Sequence, residues 1–156
     1  MSLIVQKYGG TSVGSIEKIG HVADKVAALA KSGNRVVVTV SAMSGETNRL
    51  IALANEMSPY PHPREMDVII STGEQVTIAL LTMALLDRGC DARSYTGGQI
   101  RMVTDDAHGK ARIKKIQSKK MKADLGAGKV VVVAGFQGVD EDGNITTLGR
   151  GGSDTT

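Results

Sequence analysis

Residues 3–40 read LIVQKYGGTSVGSIEKIGHVADKVAALAKSGNRVVVTV, and this stretch decides the fold. Leu3–Tyr8 and Arg35–Val40 are rich in the apolar and β-branched side chains that favour strands. Between them, apolar side chains recur at helical spacing over residues 16–31, and Gly33 follows where the helix should end. Strand, helix and strand in such a short stretch predict a right-handed βαβ unit in a parallel sheet.

The remaining sequence keeps alternating between helical and strand patterns. We expect further helices that end near Met57 and that span residues 64–88 and 118–125, and further strands over residues 92–95, 129–134 and 145–148. Short β-prone pieces within residues 97–116 predict an edge hairpin, and residues 140–144 (DEDGN) predict a second hairpin turn. This alternation predicts an α/β protein with three α/β/α layers: a largely parallel open sheet flanked by helices, with a small antiparallel excursion.

The long helical segment at residues 64–88 follows a loop with three prolines at residues 59–63. Gly73 is a candidate break that could divide this helix in two. Residues 71–74 (STGE) fit the capping box that begins a helix. On this interpretation Glu74 could be no more than the acidic half of a cap.

Composition excludes several classes of protein. The chain has 156 residues, of which 41% are hydrophobic and 22% charged, so it can fold around a core and is not a disordered segment. A net charge of +3 is too small to indicate a polyanion partner, and an aromatic content of 3% disfavours base stacking. We therefore interpret the basic run at residues 110–122 as a solvated surface and predict no nucleic-acid partner.

The sequence also bears on the cellular compartment. The single cysteine, Cys90, cannot form an internal disulfide, which favours a reducing environment. Residues 1–4 lead directly into a strand, without the pattern of a signal peptide. No uninterrupted apolar run approaches the ~20 residues that a membrane-spanning helix needs. We therefore predict a cytoplasmic protein without a membrane partner.

A glycine-rich turn over residues 7–12 (KYGGTS) follows the first strand and leads into the first helix. Glycine lets the backbone approach a ligand, Lys7 adds charge, and a helix N-terminus would add positive dipole. Ligands of open α/β sheets bind at such strand ends. The turn is not a P-loop, because Ser15 stands where that motif has lysine, and no G-x-G-x-x-G signature is present. A tight turn with a solvated lysine is the alternative.

A second glycine-rich turn, over residues 149–154 (GRGGSD), follows the last predicted strand. Arg150 between glycines could clamp a carboxylate through two parallel hydrogen bonds. Ser153 and Asp154 have the pattern of a helix cap and first turn with no helix after them, so we expect the fold to be incomplete at the C-terminus. A flexible loop with an ordinary cap is the alternative interpretation.

Two hydroxyl side chains should lie beside the first turn in the predicted sheet. Ser41 follows the second strand and Thr47 begins the next helix, so each is either a ligand contact or an ordinary turn or cap residue. The three histidines, His21, His62 and His108, lack the spacing of metal ligands. We predict no metal site formed by the protein.

Taken together, five segments resemble the aspartate kinases of the amino acid kinase superfamily. The segments are residues 5–12 (VQKYGGTS), 38–44 (VTVSAMS) with Thr47 and Asn48, 72–74 (TGE), 135–138 (GFQG) and 147–154 (TLGRGGSD). They occur in the family's order and span essentially the whole chain. The pair K-Y-G-G-[TS]-S and L-G-R-G-G-S-D is specific to the aspartokinase branch, since related amino acid kinases share the fold but not this pair.

The resemblance implies transfer of the γ-phosphoryl group of ATP to the side-chain carboxylate of L-aspartate. The product would be 4-phospho-L-aspartate, in the first step of lysine, threonine and methionine synthesis, and ATP would bring Mg²⁺ with it. A carboxylate nucleophile is already ionised at neutral pH, so the chemistry needs alignment and charge neutralisation and no general base. Two anion-binding turns without an evident catalytic histidine fit this requirement.

The same resemblance implies roles for individual residues. Lys7 and Asp154 would be catalytic, Lys7 by contacting the phosphates and Asp154 by orienting Lys7 or the substrate. The residues expected at the nucleotide phosphates are Lys7, Tyr8, Gly9, Gly10 and Ser12. The residues expected at the aspartate substrate are Ser41, Thr47, Glu74, Arg150, Gly151, Gly152 and Ser153. Among them, Glu74 would hold the amino group of aspartate and Arg150 a carboxylate.

The resemblance covers only part of the family's length. Residues 1–156 would be the N-terminal, amino-acid-substrate half of a kinase domain, without the nucleotide-binding half and the regulatory ACT domains. We therefore expect this chain to be inactive alone, and the full-length protein to be a homo-oligomer or a larger assembly. The alternatives are another kinase of the superfamily, which substrate competition would identify, and a non-catalytic ligand-binding fragment, which would bind aspartate without ATPase activity.

Overall fold

The computed structural model describes residues 1–149, in which helices and strands alternate as predicted. The helices are α1 (Ile16–Lys31), α2 (Glu46–Met57), α3 (Pro63–Asp87) and α4 (Lys119–Gly126). The strands are β1 (Leu3–Tyr8), β2 (Arg35–Val40), β3 (Ala92–Tyr95), β4 (Val103–Thr104), β5 (Ile113–Lys115), β6 (Val130–Ala134), β7 (Gln137–Val139) and β8 (Ile145–Thr147). A short 3-10 helix, Gly10–Val13, separates β1 from α1.

Four strands form a fully parallel sheet in the order β1-β2-β6-β3. The register pairs Val40 with both Tyr8 and Ala134, and Val133 with Tyr95, so the strands end nearly level. Parallel neighbours need a crossover connection, which α1 supplies between β1 and β2. The level carboxyl edge brings together the loops that follow β1, β2 and β6.

The central strands β2 and β6 of the parallel sheet are covered by helices on both faces, which confirms the predicted three layers. Successive side chains of a strand point to opposite faces. Val38 and Val132 accordingly pack with α1 and α3, whereas Val131 and Val133 pack with α4. All four side chains are buried. Burial on both faces explains why β2 and β6 are nearly continuous apolar runs in the sequence.

The structure contains a second sheet, which is larger than the small antiparallel part predicted from the sequence. Both predicted hairpins form, β4 with β5 and β7 with β8, but β4 also pairs in parallel with β7 through Val103 and Val139. The result is a mixed four-stranded sheet in the order β5-β4-β7-β8. Gly138 permits the close contact, because a Cβ there would lie 2.5 Å from the Met102 carbonyl oxygen.

The helix α3 is continuous, so the predicted break at Gly73 is wrong. It spans Pro63–Asp87, and the Nδ1 atom of its N-cap residue His62 accepts the Arg64 N–H at 3.2 Å. A Cβ added at residue 73 would lie 2.9 Å from the Cβ of Ala42. The glycine therefore marks a close contact between α3 and the loop after β2, and not the end of a helix.

Among the helices in residues 1–149, α3 is the one that is long and apolar enough to cross a membrane by length and composition. Half of its most apolar 18-residue window is nevertheless buried in the protein. Leu81 and Leu85 belong to the core shared with α1, and neither is accessible to solvent. This burial is that of a core helix.

We expect Gly73→Ala to destabilise the chain by about 1–3 kcal/mol, because the new methyl group would overlap Ala42 in a packed core. Gly20→Ala in α1 is the matched control, since a Cβ there meets only the Arg88 side chain at 3.4 Å. That substitution should be neutral or stabilise by up to about 1 kcal/mol, as alanine is the better helix former. Urea unfolding of both variants measures the difference, and equal midpoints would contradict the close contact at Gly73.

Candidate active site at the carboxyl edge of the sheet

The first glycine-rich turn follows β1 and is open on one side. Apart from Gly9 itself and its two chain neighbours, no residue has an atom within 4 Å of the position that a Cβ of Gly9 would take. The Ser12 N–H donates to the Gly9 carbonyl oxygen at 3.0 Å within the short 3-10 helix. The sequence pattern indicated that the turn leads into α1, but the short 3-10 helix lies between them. α1 begins at Ile16, where the Ser15 Oγ accepts the Lys18 N–H at 3.2 Å, so its dipole begins beyond the turn.

The loop after β2 is hydrogen-bonded to this turn. The Ser41 N–H donates to the Tyr8 carbonyl oxygen at 3.2 Å, and the Ser44 N–H donates to the Gly10 carbonyl oxygen at 3.1 Å. A Cβ at residue 10 would lie 3.0 Å from a carbonyl oxygen of the same loop, so glycine permits the approach. The structure thus brings Ser41 beside the end of β1, which carries Lys7.

The other predicted residues of this half of the chain lie around the same edge. Lys7 is exposed near the end of β1. Thr47 is half-buried in the first turn of α2, which follows Gly45 with its φ of +81°. The Tyr8 hydroxyl donates to the Gln6 Oε1 at 3.1 Å and so points back along β1.

Glu74 is a buried acid on the inner face of α3, and its interpretation as part of a helix cap is wrong. The residue is 2% exposed, and its two carboxylate oxygens accept the Phe136 N–H at 3.1 and 2.9 Å. Phe136 follows β6, and the preceding Gly135 N–H donates to the Val40 carbonyl oxygen at 3.3 Å. Glu74 therefore lies where β2 and β6 end, near the loop that carries Ser41.

Burial raises the pKa of Glu74 to about 8, from an ordinary value of 4.5. The N–H groups of Phe136 and Gly135 and the side chain of Gln137 oppose this rise, because they hydrogen-bond to the charged form. The Gln137 Nε2 also donates to the Ser71 carbonyl oxygen at 2.8 Å, which holds the turn after β6 against α3. A cation beside Glu74 would favour its ionised form.

Part of the predicted site lies outside the described residues. The predicted residues in that part are Arg150, Gly151, Gly152, Ser153 and Asp154. The last described residue of the second glycine-rich turn is Gly149, and the N–H of the preceding Leu148 donates to the Phe136 carbonyl oxygen at 2.9 Å. The chain thus reaches this turn directly beside the residue to which Glu74 is bound.

Sequence reasoning missed a buried group formed by Asp67, His108 and Thr147. Asp67 is fully buried on α3, His108 precedes β5, and Thr147 ends β8. His108 Nδ1 lies 2.8 Å from the Asp67 carboxylate, and the Thr147 hydroxyl donates to that carboxylate at 2.6 Å. One signal was available, because Asp67 shares a helix face with Ile70 and Glu74, and a buried acid needs partners.

Within residues 1–149, no group of three or more His, Cys, Asp or Glu side chains is arranged to hold a metal ion. His21 and His62 are exposed on different helices, and His108 is bound to Asp67.

Comparisons with known proteins agree with one another. A family model described as the amino acid kinase family matches residues 2–156. The aspartokinase of Pseudomonas aeruginosa and the aspartokinase 2 of Bacillus subtilis are 67% and 56% identical to this chain over 156 residues. Each match covers all of this chain but 38% of the relative, so the chain spans well under half the length of these relatives.

Solved structures have the same fold. The aspartate kinase from Synechocystis is 48% identical, with a TM-score of 0.80 over 97% of this chain and 25% of that one. The aspartokinase III of E. coli, solved in complex with aspartate and ADP, is 27% identical, with a TM-score of 0.84 over 97% of this chain and 44% of that one.

Proposed function

The chain belongs to the amino acid kinase family, and from this premise we propose that it is the amino-acid-binding half of an aspartate kinase domain. The proposed reaction converts L-aspartate and ATP into 4-phospho-L-aspartate and ADP. The identity of 67% to an aspartokinase supports the substrate, and the aspartate and ADP bound to E. coli aspartokinase III support both ligands. In this proposal, the nucleotide-binding half corresponds to a part of the relatives that this chain does not match.

One observation carries the proposal: Glu74 is a buried acid at the point where the loops after β1, β2 and β6 meet. A strongly perturbed acid at the carboxyl edge of a parallel sheet is a candidate for ligand binding. The ammonium group of L-aspartate would pair with Glu74 and favour its ionised form. A carboxylate has about four lone-pair positions, and three donors contact this one: the N–H groups of Phe136 and Gly135 and the side chain of Gln137. About one position therefore remains for the ammonium group.

In the proposed reaction, a side-chain carboxylate oxygen of aspartate attacks the γ-phosphorus of ATP. The new O–P bond forms as the bond to the β–γ bridging oxygen breaks, and ADP leaves with that electron pair. No proton has to be removed, because a carboxyl group with a pKa of ~4 is ionised at neutral pH. The main barrier is the approach of two anions, which Lys7 would lower by neutralising the phosphates, while Gly9 leaves room for them beside the backbone.

The remaining roles follow from the position of each residue. Ser41 and Thr47 would bind the aspartate from the loop after β2 and the first turn of α2. Tyr8, Gly10 and Ser12 would complete the phosphate side of the site.

The second glycine-rich turn would close the aspartate side. Arg150 would hold a carboxylate of the substrate with a bidentate pair of hydrogen bonds, and Gly151, Gly152 and Ser153 would line the same pocket. Asp154 would orient Lys7 or the substrate. These roles rest on the motif that the residues form in the sequence.

The proposal extends to the setting of the reaction. Mg²⁺ would be carried by the nucleotide, since the described residues offer it no cluster of ligands. The product would enter lysine, threonine and methionine synthesis in the cytoplasm. The longer protein would assemble as a homo-oligomer or a larger complex.

We expect this chain to be inactive alone and active in a chimera with a relative. In the chimera, the chain replaces the matching 38% of the P. aeruginosa aspartokinase, whose remaining part supplies the nucleotide-binding half. The assay is ADP formation from ATP and Mg²⁺ with and without L-aspartate. ADP should form only with the chimera and only when L-aspartate is present.

Two controls separate the alternatives. L-Glutamate and N-acetyl-L-glutamate test for a different kinase of the family, and activity on either without activity on L-aspartate would exclude the proposed substrate. Turnover by the 156-residue chain itself, after its intact mass is verified, would show that the nucleotide site is wrongly assigned to the unmatched part.

A further inference from the structure

The fully buried Asp67 takes no part in the chemistry proposed above. We propose that Asp67, assisted by His108, is a positioning residue that fixes the end of β8 relative to Glu74. It would thereby set the affinity for aspartate through the glycine-rich turn that follows β8. This inference rests on the proposed aspartate kinase function.

Four donors surround the Asp67 carboxylate, which is 0% exposed. Its Oδ2 lies 2.8 Å from the His108 Nδ1 and accepts the Gly109 N–H at 3.2 Å and the Thr147 N–H at 3.1 Å. Its Oδ1 accepts the Thr147 hydroxyl at 2.6 Å. Three of these donors contact Oδ2 and one contacts Oδ1, so both oxygens of the buried carboxylate are hydrogen-bonded.

Every polar group of Thr147 makes a hydrogen bond. Its N–H and hydroxyl both donate to Asp67, and its carbonyl oxygen accepts the Ala111 N–H at 3.0 Å. The next residue, Leu148, is buried and donates its N–H to the Phe136 carbonyl oxygen at 2.9 Å. The two residues that precede Gly149 are therefore fixed before the glycine-rich turn begins.

Asp67 and Glu74 lie seven residues apart on one helix, which places them on the same face, about 10 Å apart along its axis. Glu74 holds the N–H of Phe136, Asp67 holds Thr147, and the Phe136 carbonyl oxygen accepts from the residue after Thr147. These hydrogen bonds connect α3, the turn after β6 and the end of β8 in a closed ring. The helix thus sets the distance between the acid proposed to bind the ammonium group and the strand that leads to Arg150.

A purely structural role for Asp67 is the competing explanation, and the substrate dependence of the kinetics separates the two. Loss of a fold-stabilising bond lowers the amount of active enzyme and leaves each KM unchanged. A displaced turn weakens one substrate selectively, because Arg150 is proposed to hold aspartate and not the nucleotide.

The experiment uses the chimera with Asp67→Asn, His108→Leu and His108→Asn. We expect Asp67→Asn to raise KM for L-aspartate by roughly tenfold or more and KM for ATP by less than about twofold. His108→Leu should raise KM for L-aspartate by a smaller factor. His108→Asn should return KM for L-aspartate to that of the unsubstituted chimera, because the asparagine amide can donate from the position of Nδ1.

Equal effects on both KM values, or unchanged KM values with a lowered melting temperature, would overturn the proposal. Hydrogen exchange gives a readout that does not depend on activity. Asp67→Asn should speed exchange in residues 145–149 by roughly tenfold and leave β6 unchanged. An inactive unsubstituted chimera would contradict the proposed function. Unchanged exchange in residues 145–149 would contradict the positioning role alone.

Discussion

Replacing Lys7 by methionine in the chimera should lower kcat by roughly a hundredfold to a thousandfold, the loss expected when one preorganised positive group is removed from a transition state. Lys7 is exposed at the carboxyl edge, beside the loop that carries Ser41. The methionine keeps most of the length of the side chain and removes its charge. Since exposed substitutions usually change stability by less than about 0.5 kcal/mol, the variant should remain folded. Steady-state kinetics and thermal unfolding measure the two effects.

Two further variants make this test specific. Lys122→Met removes an exposed charge from α4 and should leave kcat unchanged. Lys7→Arg keeps the charge but alters its geometry, so it should retain only part of the activity. A Lys7→Met variant that keeps more than about a tenth of the kcat would show that the phosphates are neutralised elsewhere.

The parallel sheet could be predicted because its signals are local. Leu3–Tyr8 and Arg35–Val40 are β-rich, the residues between them repeat with helical spacing, and glycines mark the ends. The handedness and parallel pairing of a βαβ unit then follow from general rules. The same rules predict that ligands bind at the carboxyl edge, so Lys7 and Ser41 could be placed at that edge as candidates before their contacts were known.

The errors arose where a distant partner decides the structure. Residues 71–74 match a capping box, but Glu74 binds Phe136, which lies 62 residues further along the chain. Gly73 resembles a helix break, but it is required by the approach of Ala42. The parallel pair of Val103 and Val139 joins two hairpins that each look complete in the sequence.

Asp67 shows what a closer look at the sequence could have found. Its position on the apolar face of a long helix indicates that the carboxylate is buried. It therefore needs hydrogen-bond partners, since burying an unpaired carboxylate costs free energy. The sequence could not identify its partners, because His108 and Thr147 lie in a turn and a strand brought together only by the second sheet. An acid on the apolar face of a helix therefore indicates buried hydrogen-bond partners, whereas an acid on the polar face does not.

Glu74→Gln should alter how stability depends on pH. The pKa of Glu74 is raised to about 8 in the folded chain, against an ordinary 4.5, so between these values the folded state holds a proton that the unfolded state has lost. Stability from this group is thus complete below pH 4.5 and falls as pH rises toward 8. Glutamine cannot ionise, so the difference in unfolding free energy between the two proteins should change by about 3 kcal/mol from pH 5.5 to pH 8.5, in favour of the variant.

Urea unfolding of the 156-residue chain at both pH values measures this change. Taking the difference between the two proteins cancels the titration of the histidines, and Glu56→Gln, an exposed acid on α2, should give curves parallel to those of the unsubstituted chain. The same ionisation ties stability to the proposed function, because the ammonium group of aspartate would bind the charged form of Glu74 and release its proton. The affinity of the unsubstituted chimera for aspartate should therefore rise with pH up to about 8, whereas Glu74→Gln should bind aspartate weakly and without that rise. Parallel stability curves for Glu74→Gln and the unsubstituted chain would mean that Glu74 is already ionised in the folded protein.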